Sequence, residues 1–352
     1  MPFINDQLDF NNEQLAKTRQ QQQIARTSRF KFNPEAVMAN LQTRIIGQQA
    51  VLDSMRAMLY TLKADFADKH KPLSVILFLG PTGVGKTETV RVLAESILGN
   101  ADRLCRIDMN TLAQEHYTAA LTGSPPGYVG SKEGQTLFDV EKIKGSFSKP
   151  GIVLFDEIEK ANQSVVRSLM NVLDTGKLLL TSGVGEIDFT NTLIFMTSNL
   201  GAKELSETQK SFSRGWRALF KLTPPSQKVL LDQALNTQFD PEFINRIERI
   251  LPFDWLGESA TELLVGLELD KLNRRLHARC ASVKITADVR KYLSGTYDAR
   301  YGARDIARRI RTELEPELAE SMLKEPEQYE FEAEMNAGKL SFRARHSFNK
   351  VP

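Results

Sequence analysis

The chain has 352 residues and is 41% hydrophobic, enough to bury one large core and one small one. Its 46 basic and 44 acidic residues nearly cancel, so net charge points to neither nucleic acid nor an anionic membrane as a partner. No apolar run is long enough to span a bilayer, "MPFINDQLDF" lacks an apolar signal core, and Cys105 and Cys280 read as free thiols, so a cytoplasmic protein is expected.

Residues 1–35 are polar and glutamine-rich ("QLAKTRQQQQIARTSRF") and read as an extension, either solvated or a docking segment for a partner. Helical spacing of apolar residues begins in "NPEAVMANLQTRIIGQQAVLDSMRAMLYTLKADF". "SVILFLG" reads as a buried strand, and "ETVRVLAESIL" as the helix after it. Further strands are expected at "LCRIDM", "GIVLFDE" and "TLIFMTSN", with helices such as "QSVVRSLMNVLDTG" and "SQKVLLDQALNTQF" between and after them. This alternation predicts an α/β domain with a parallel sheet over 36–252. Past "LPFDW" the pattern turns helical, in "ATELLVGLELDKLNRRLHARC" and "ARDIARRIRTELEPELAESML", and closes on a hairpin at "YEFEAEMNAGKLSFRAR". A smaller domain is therefore expected over 253–345, with a tail at 346–352.

"GPTGVGKT" follows a strand and precedes a helix, the context a phosphate-binding loop requires. Gly80, Gly83 and Gly85 let backbone N–H groups face phosphates, with Pro81, Thr82 and Val84 completing the loop. Lys86 would reach the β and γ phosphates of ATP, and Thr87 would offer its hydroxyl to Mg2+. Glu88 opens the helix beside them. The strand "GIVLFD" ends in Asp156, a second magnesium partner, followed by Glu157, a base for the attacking water. Glu159 and Lys160 read as a structural ion pair. Asn199, Arg246 and Arg304 are weak candidates from spacing alone, since asparagine at a strand end is usually a turn former. In "GSPPGYVG", Tyr128 and Val129 sit between Gly127 and Gly130 after two prolines, a loop that shows an aromatic to its surroundings.

Taken in order, "IIGQ", "FLGPTGVGKTE", "RIDM", "GSPPGYVG", "LFDEIEKA", "MTSNLG", "PEFINRI" and "YDARYGAR" resemble the Clp family of AAA+ unfoldases, above all the second nucleotide-binding domain of ClpA, ClpB and ClpV. The likeness covers roughly residues 36 to 345. It implies an AAA+ P-loop ATPase fold: a parallel sheet flanked by helices, then a small helical lid domain with a terminal β-hairpin. It also implies ATP and Mg2+ as cofactors, a homo-oligomeric ring such as a hexamer, and a protein substrate. Within that frame Ile46 and Gln48 correspond to the adenine-side segment, Asn199 to the sensor asparagine and Arg304 to the sensor arginine of the small domain. Arg246 corresponds to a finger that reaches a neighbouring subunit's site, and Tyr128 and Val129 to the pore loop that grips a threaded polypeptide.

Departures qualify the resemblance. No Ile-Gly-Phe or Ile-Gly-Leu tripeptide lies between Asn199 and Arg246, so a ClpP-like peptidase is not expected as a partner. The second loop has Ser182, Gly183, Val184, Gly185 and Glu186 where the family shows Asp-Gly-Gln-Gly-Arg, Asn162 stands in place of histidine, and Glu248 in place of aspartate. The resulting expectation is an ATP-driven unfoldase that threads protein through a ring, its extension contacting a partner. The alternative is an ATPase dedicated to assembling or disassembling one secretion or mobile-element complex.

Overall fold

The computed structural model describes residues 28–66, 68–113, 137–180, 185–201, 227–295 and 302–344. Tyr128 and Val129, and Ser182 to Val184 of the second loop, lie outside them.

The first helical run is two helices. Asn33 accepts the Glu35 N–H at 2.9 Å to cap α1 (Pro34–Arg44), whose first residue is a proline that needs no intrahelical partner. Gly47, with φ +74°, then turns the chain before α2 (Gln49–Lys63). Phe30 and Phe32 are buried beside these helices, and Lys63 donates to the Phe30 carbonyl. The polar extension therefore ends earlier than residue 35: the aromatic pair joins the core ahead of α1.

Next come β1 (Ser74–Leu79), α3 (Lys86–Leu98), β2 (Cys105–Asp108), α4 (Val140–Lys144), β3 (Gly151–Asp156) and α5 (Gln163–Thr175). A two-stranded hairpin of β4 (Lys177–Leu179) and β5 (Glu186–Asp188) leads to β6 (Thr192–Ser198), α6 (Gln227–Gln238), α7 (Pro241–Ile244) and β7 (Arg249–Pro252). The five-stranded sheet has the order β2-β3-β6-β1-β7, and each of its ladders is parallel. Every residue of β1, β3 and β6 is buried, as expected of central strands covered on both faces. Alternation divides them: Ile76 and Phe78 face one core with α1, α2 and α3, while Val75, Leu77 and Leu79 face the other with α5. The short edge strand β7 is absent from the sequence reading, because "RILP" ends in proline and offers only four residues of pattern.

The C-terminal unit contains α8 (Glu258–His277), β8 (Ser282–Ile285), α9 (Ala287–Gly295), α10 (Ala303–Arg309), α11 (Glu315–Lys324), β9 (Glu330–Asn336) and β10 (Lys339–Ala344). The expected hairpin is β9 with β10, and β8 adds parallel to β9 to make three strands. Between α10 and α11 the backbone widens to a π-helical turn at Ile310–Leu314, where the Glu315 N–H donates to the Ile310 carbonyl. Pro316 explains the widening, since it cannot donate and its ring crowds the carbonyl four residues back. No described helix is long and apolar enough to cross a membrane.

Contacts just past β7 tie this unit to the large domain. Phe253 is fully buried edge-on against Phe78 at 5.1 Å between ring centroids, so the residue just past Pro252 packs with the large core. The Gln48 amide then clasps the next residue both ways, donating to the Asp254 carbonyl at 3.0 Å and accepting its N–H at 2.9 Å. Gln48→Met keeps the volume but leaves both backbone groups unpaired. A loss of about 1–2 kcal/mol is expected in urea unfolding; unchanged stability would show that the clasp is dispensable.

Candidate functional site

The C-terminal ends of β1, β3 and β6 open into a cavity of about 620 Å³, within the range of nucleotide-sized pockets. β1 leads into the Gly80–Thr87 loop, and α3 starts at Lys86 with its N-terminus toward the cavity. Gly80 has φ +137°, and a Cβ there would meet the Phe253 carbonyl oxygen at 2.5 Å. Across the loop, the Ala303 N–H donates to the Gly83 carbonyl at 2.8 Å. That approach requires Gly302, whose φ is +58° and whose Cβ would fall 2.6 Å from the Gly83 carbonyl.

Lys86 is buried and donates to the carbonyls of Gly80 at 2.5 Å and Pro81 at 2.7 Å, and to Asn199 Oδ1 at 3.0 Å. Burial pushes its ammonium down to about 8; the charges of Glu159, Asp156 and Glu157 oppose the fall, and Arg304 adds to it. Thr87 Oγ1 donates to Asp156 Oδ1 at 3.2 Å, so a hydroxyl and a carboxylate converge as hard oxygen donors. The described residues contain no cluster of three or more His, Cys, Asp or Glu suited to hold a metal. A small divalent cation there would take its remaining ligands from phosphate and water, as magnesium commonly does.

Glu157 follows β3 in the left-handed region at φ +58°, unusual for a residue with a Cβ. Its N–H donates to Thr197 Oγ1 at 3.0 Å, and the same hydroxyl donates to Asp156 at 2.5 Å. The Glu157 carboxylate is held from both sides, by Asn199 Nδ2 at 3.3 Å and Asn110 Nδ2 at 2.7 Å. Asp156 also receives Arg106, at 2.6 Å from Nη2 and 3.1 Å from Nε. Spacing gave Arg106, Asn110 and Thr197 no role, although the alternation of apolar Cys105 and Ile107 with polar Arg106 and Asp108 is the period-2 signal that sets Arg106 on the exposed face of β2.

The candidates do not all gather in the cavity. Thr82 to Glu88, Ile46, Asp156, Glu157, Asn199 and Arg304 line it. Gly80 and Pro81 lie behind it, reaching the site through their carbonyls to Lys86. Gln48 is not in the lining: it is buried, and its amide donates to and accepts from the Asp254 backbone. Glu88 lines the cavity with both oxygens engaged by Arg44 and Arg91. Burial alone would raise its carboxyl, but Arg91, Lys271 and Arg44 hold it below the usual range. Arg246 lies off the cavity, its Nε on Asp174 at 2.5 Å and Nη1 on the Glu242 carbonyl at 2.6 Å. The expected Glu159–Lys160 ion pair does not form. Glu159 instead accepts the Asn199 N–H at 3.1 Å, because the turn after Glu157 swings it toward β6 while Lys160 stays exposed. Asn162 caps α5 by accepting the Ser164 N–H at 2.9 Å.

Comparison with known proteins agrees with this architecture. Residues 71–250 match the family described as AAA domain (Cdc48 subfamily), and residues 256–332 the C-terminal, D2-small domain of ClpB protein. The chain is a Clp-type AAA+ ATPase. It is 43% identical to the ATP-dependent protease ATP-binding subunit-like protein AmiB of Pseudomonas aeruginosa, over 92% of this chain and 93% of that one. A Rhodococcus erythropolis ATP-dependent protease ATP-binding subunit-like protein is 39% identical over 92% of both chains. The chaperone protein ClpB of Propionibacterium freudenreichii is 38% identical over 80% of this chain but 30% of its own length, so the match covers one module of a longer protein. This Clp-type ATPase thus binds and hydrolyses ATP, and two of these relatives are matched over nearly their whole length while ClpB is matched over one part of its own.

Lys86 titrates near 8 in the folded chain against an ordinary 10.5, so between these values the unfolded chain holds the extra proton. Its burial penalty is full below pH 8 and fades as pH rises toward 10.5. The stability of Lys86→Met relative to wild type should therefore be most favourable below pH 8 and decline from pH 8 to 10. Urea unfolding of both proteins across that range measures it, and a difference that stays constant with pH contradicts the buried charge.

Proposed function

We propose that this ATPase remodels protein by drawing polypeptide through a ring pore. In this reading Lys86 and the Gly80–Thr87 loop hold the ATP phosphates, Thr87 and Asp156 hold Mg2+, and Glu157 orients the attacking water. Asn199 and Arg304 contact the γ-phosphate region, while Ile46 flanks the base. The observation that carries the threading step is a short covalent path. Strand β2 and the turn after it support both carboxylates, through Arg106 on Asp156 and Asn110 on Glu157, and lead within a few residues into segment 114–136, which contains Tyr128 and Val129. A tyrosine suits a sequence-tolerant grip, because its flat apolar body contacts any backbone.

Arg246 is assigned to the neighbouring subunit's site; its position off its own chain's cavity, parked on Asp174, supports that assignment. A finger acting in trans makes the oligomer the catalytic unit and is worth on the order of a thousandfold in rate. The missing Ile-Gly-Phe or Ile-Gly-Leu tripeptide argues against a peptidase partner, although two relatives are named as protease ATP-binding subunit-like proteins.

The second reading is an ATPase devoted to one complex. It is favoured by the β4–β5 hairpin, where Leu179 is exposed, Lys177 pairs with Glu186 at 2.6 Å, and the loop departs from the family's charged core.

ATP-driven unfolding of a tagged fluorescent protein separates the two. Wild type is expected to unfold it, while Tyr128→Ala hydrolyses ATP at a similar rate without unfolding. If neither unfolds it and both hydrolyse ATP, general threading is wrong and the dedicated role stands. Arg246→Ala is expected to lose ATPase activity by at least about a hundredfold without losing its fold. Mixing it with inactive Lys86→Ala subunits should restore part of the activity, and no recovery at any ratio counts against action in trans.

A further inference from the structure

We propose that Arg106 is a resident counter-cation of Asp156 that a divalent metal must displace, so that this arginine sets the metal concentration at which nucleotide binds. The inference rests on the assignment of Thr87 and Asp156 to the metal.

Asp156 is 7% exposed, and all its acceptor sites are engaged. Oδ1 accepts from Thr197 at 2.5 Å and Thr87 at 3.2 Å, while Oδ2 accepts two N–H groups of Arg106 at 2.6 and 3.1 Å. Among the described ion pairs Arg106 is the sole cation on Asp156. Lys86, the buried cation beside it, spends its ammonium on two carbonyls and Asn199. A buried carboxylate without a counter-charge is strongly unfavourable, and two guanidinium N–H groups on one oxygen supply that charge.

The pair is asymmetric. The Arg106 side chain is 53% exposed against 10% for Asp156, and Arg106 also lines the open cavity. The arginine can leave into solvent at small cost, whereas the carboxylate cannot. A divalent ion between Thr87 and Asp156 draws on the same carboxylate and brings two positive charges close to the guanidinium. Repulsion across that distance, in a partly dry site, makes occupancy by metal and by Arg106 mutually exclusive. When metal and product depart, Arg106 re-covers Asp156, which lowers the barrier to release.

The test titrates Mg2+ into the purified 352-residue chain with a fluorescent ADP analogue at fixed concentration, following nucleotide binding rather than hydrolysis. Arg106→Gln retains a hydrogen-bond donor without the charge, and its half-saturating Mg2+ concentration is expected to fall about three- to tenfold below wild type. Arg106→Lys keeps the charge and is expected to stay within about twofold of wild type. An unchanged or higher Mg2+ requirement for the glutamine variant overturns the proposal, as does a lysine variant that matches it. Melting temperatures give a second readout that does not depend on the titration. Without metal Arg106→Gln should melt below wild type, and the gap should close with saturating Mg2+ and ADP. An equal gap under both conditions assigns Arg106 a structural role only and refutes the exchange. If wild type shows no Mg2+-dependent nucleotide binding at all, the metal assignment of the proposed function falls as well, a result distinct from equal midpoints in the two proteins.

Discussion

A buried lysine and the carboxylates around it are the constraint on which the rest of the molecule depends. Lys86, Asp156, Glu157 and Glu159 converge at the ends of β1, β3 and the turn after it, where backbone and side-chain groups must replace the water that charged groups prefer. Each charge has a different answer. Lys86 takes carbonyls from its own loop, Asp156 takes two hydroxyls and Arg106, and Glu157 takes two asparagine amides. Glu159 keeps one oxygen on the Asn199 N–H, while its other is buried with no hydrogen-bond partner. Such a site is poised for phosphate, because an anion with a cation of its own would relieve the competition for Lys86.

The charged end of the sheet also explains the backbone around it. Glu157 accepts a left-handed conformation costing about 1–2 kcal/mol because Thr197 grips its N–H and the next residue, Ile158, is fully buried. Gly80 and Gly302 are needed for close approach: one lets the chain after β7 cross the loop, the other lets the C-terminal unit settle on Gly83. Backbone of one unit therefore touches the phosphate-side loop of the other with no side chain between them. A change of a few tenths of an ångström in that loop is transmitted directly to α10, since packed backbone has little compressibility.

Much of this could be read from residues alone, and the limits have physical causes. The strands β1, β3 and β6 are continuous apolar runs, the signature of burial on both faces, and their ends carry the site, so fold and carboxylates emerged together. Edge strands β7 and β8 were hidden because four residues beside a proline or within a helical region leave no period to detect. The resemblance set Gln48 in the adenine-side segment and the motif set Glu88 beside the loop, but neither could say which partner each polar side chain would take. For Gln48 that was the Asp254 backbone, more than two hundred residues away in sequence, and for Glu88 it was two arginines. Phe30 and Phe32 sat in a glutamine-rich context that outweighed them by composition, although two aromatics alternating around a lysine already favour burial.

Strand β2 remains the part of the site whose importance follows least from its sequence and most from its place. Among the described residues it is an edge of the sheet, with ladder partners on one side of its backbone, and its outward residues meet the cavity where β3 ends. Its register sets Asp108 opposite Asp156, two acids side by side, which is tolerable only because Arg106 and Asn110 divide them: Arg106 neutralises Asp156, while Asn110 donates to both Asp108 and Glu157. A central strand could not shift without breaking two ladders, whereas an edge strand breaks one. A displacement of β2 and the turn after it would reach both carboxylates at once, because Arg106 holds Asp156 and Asn110 holds Glu157.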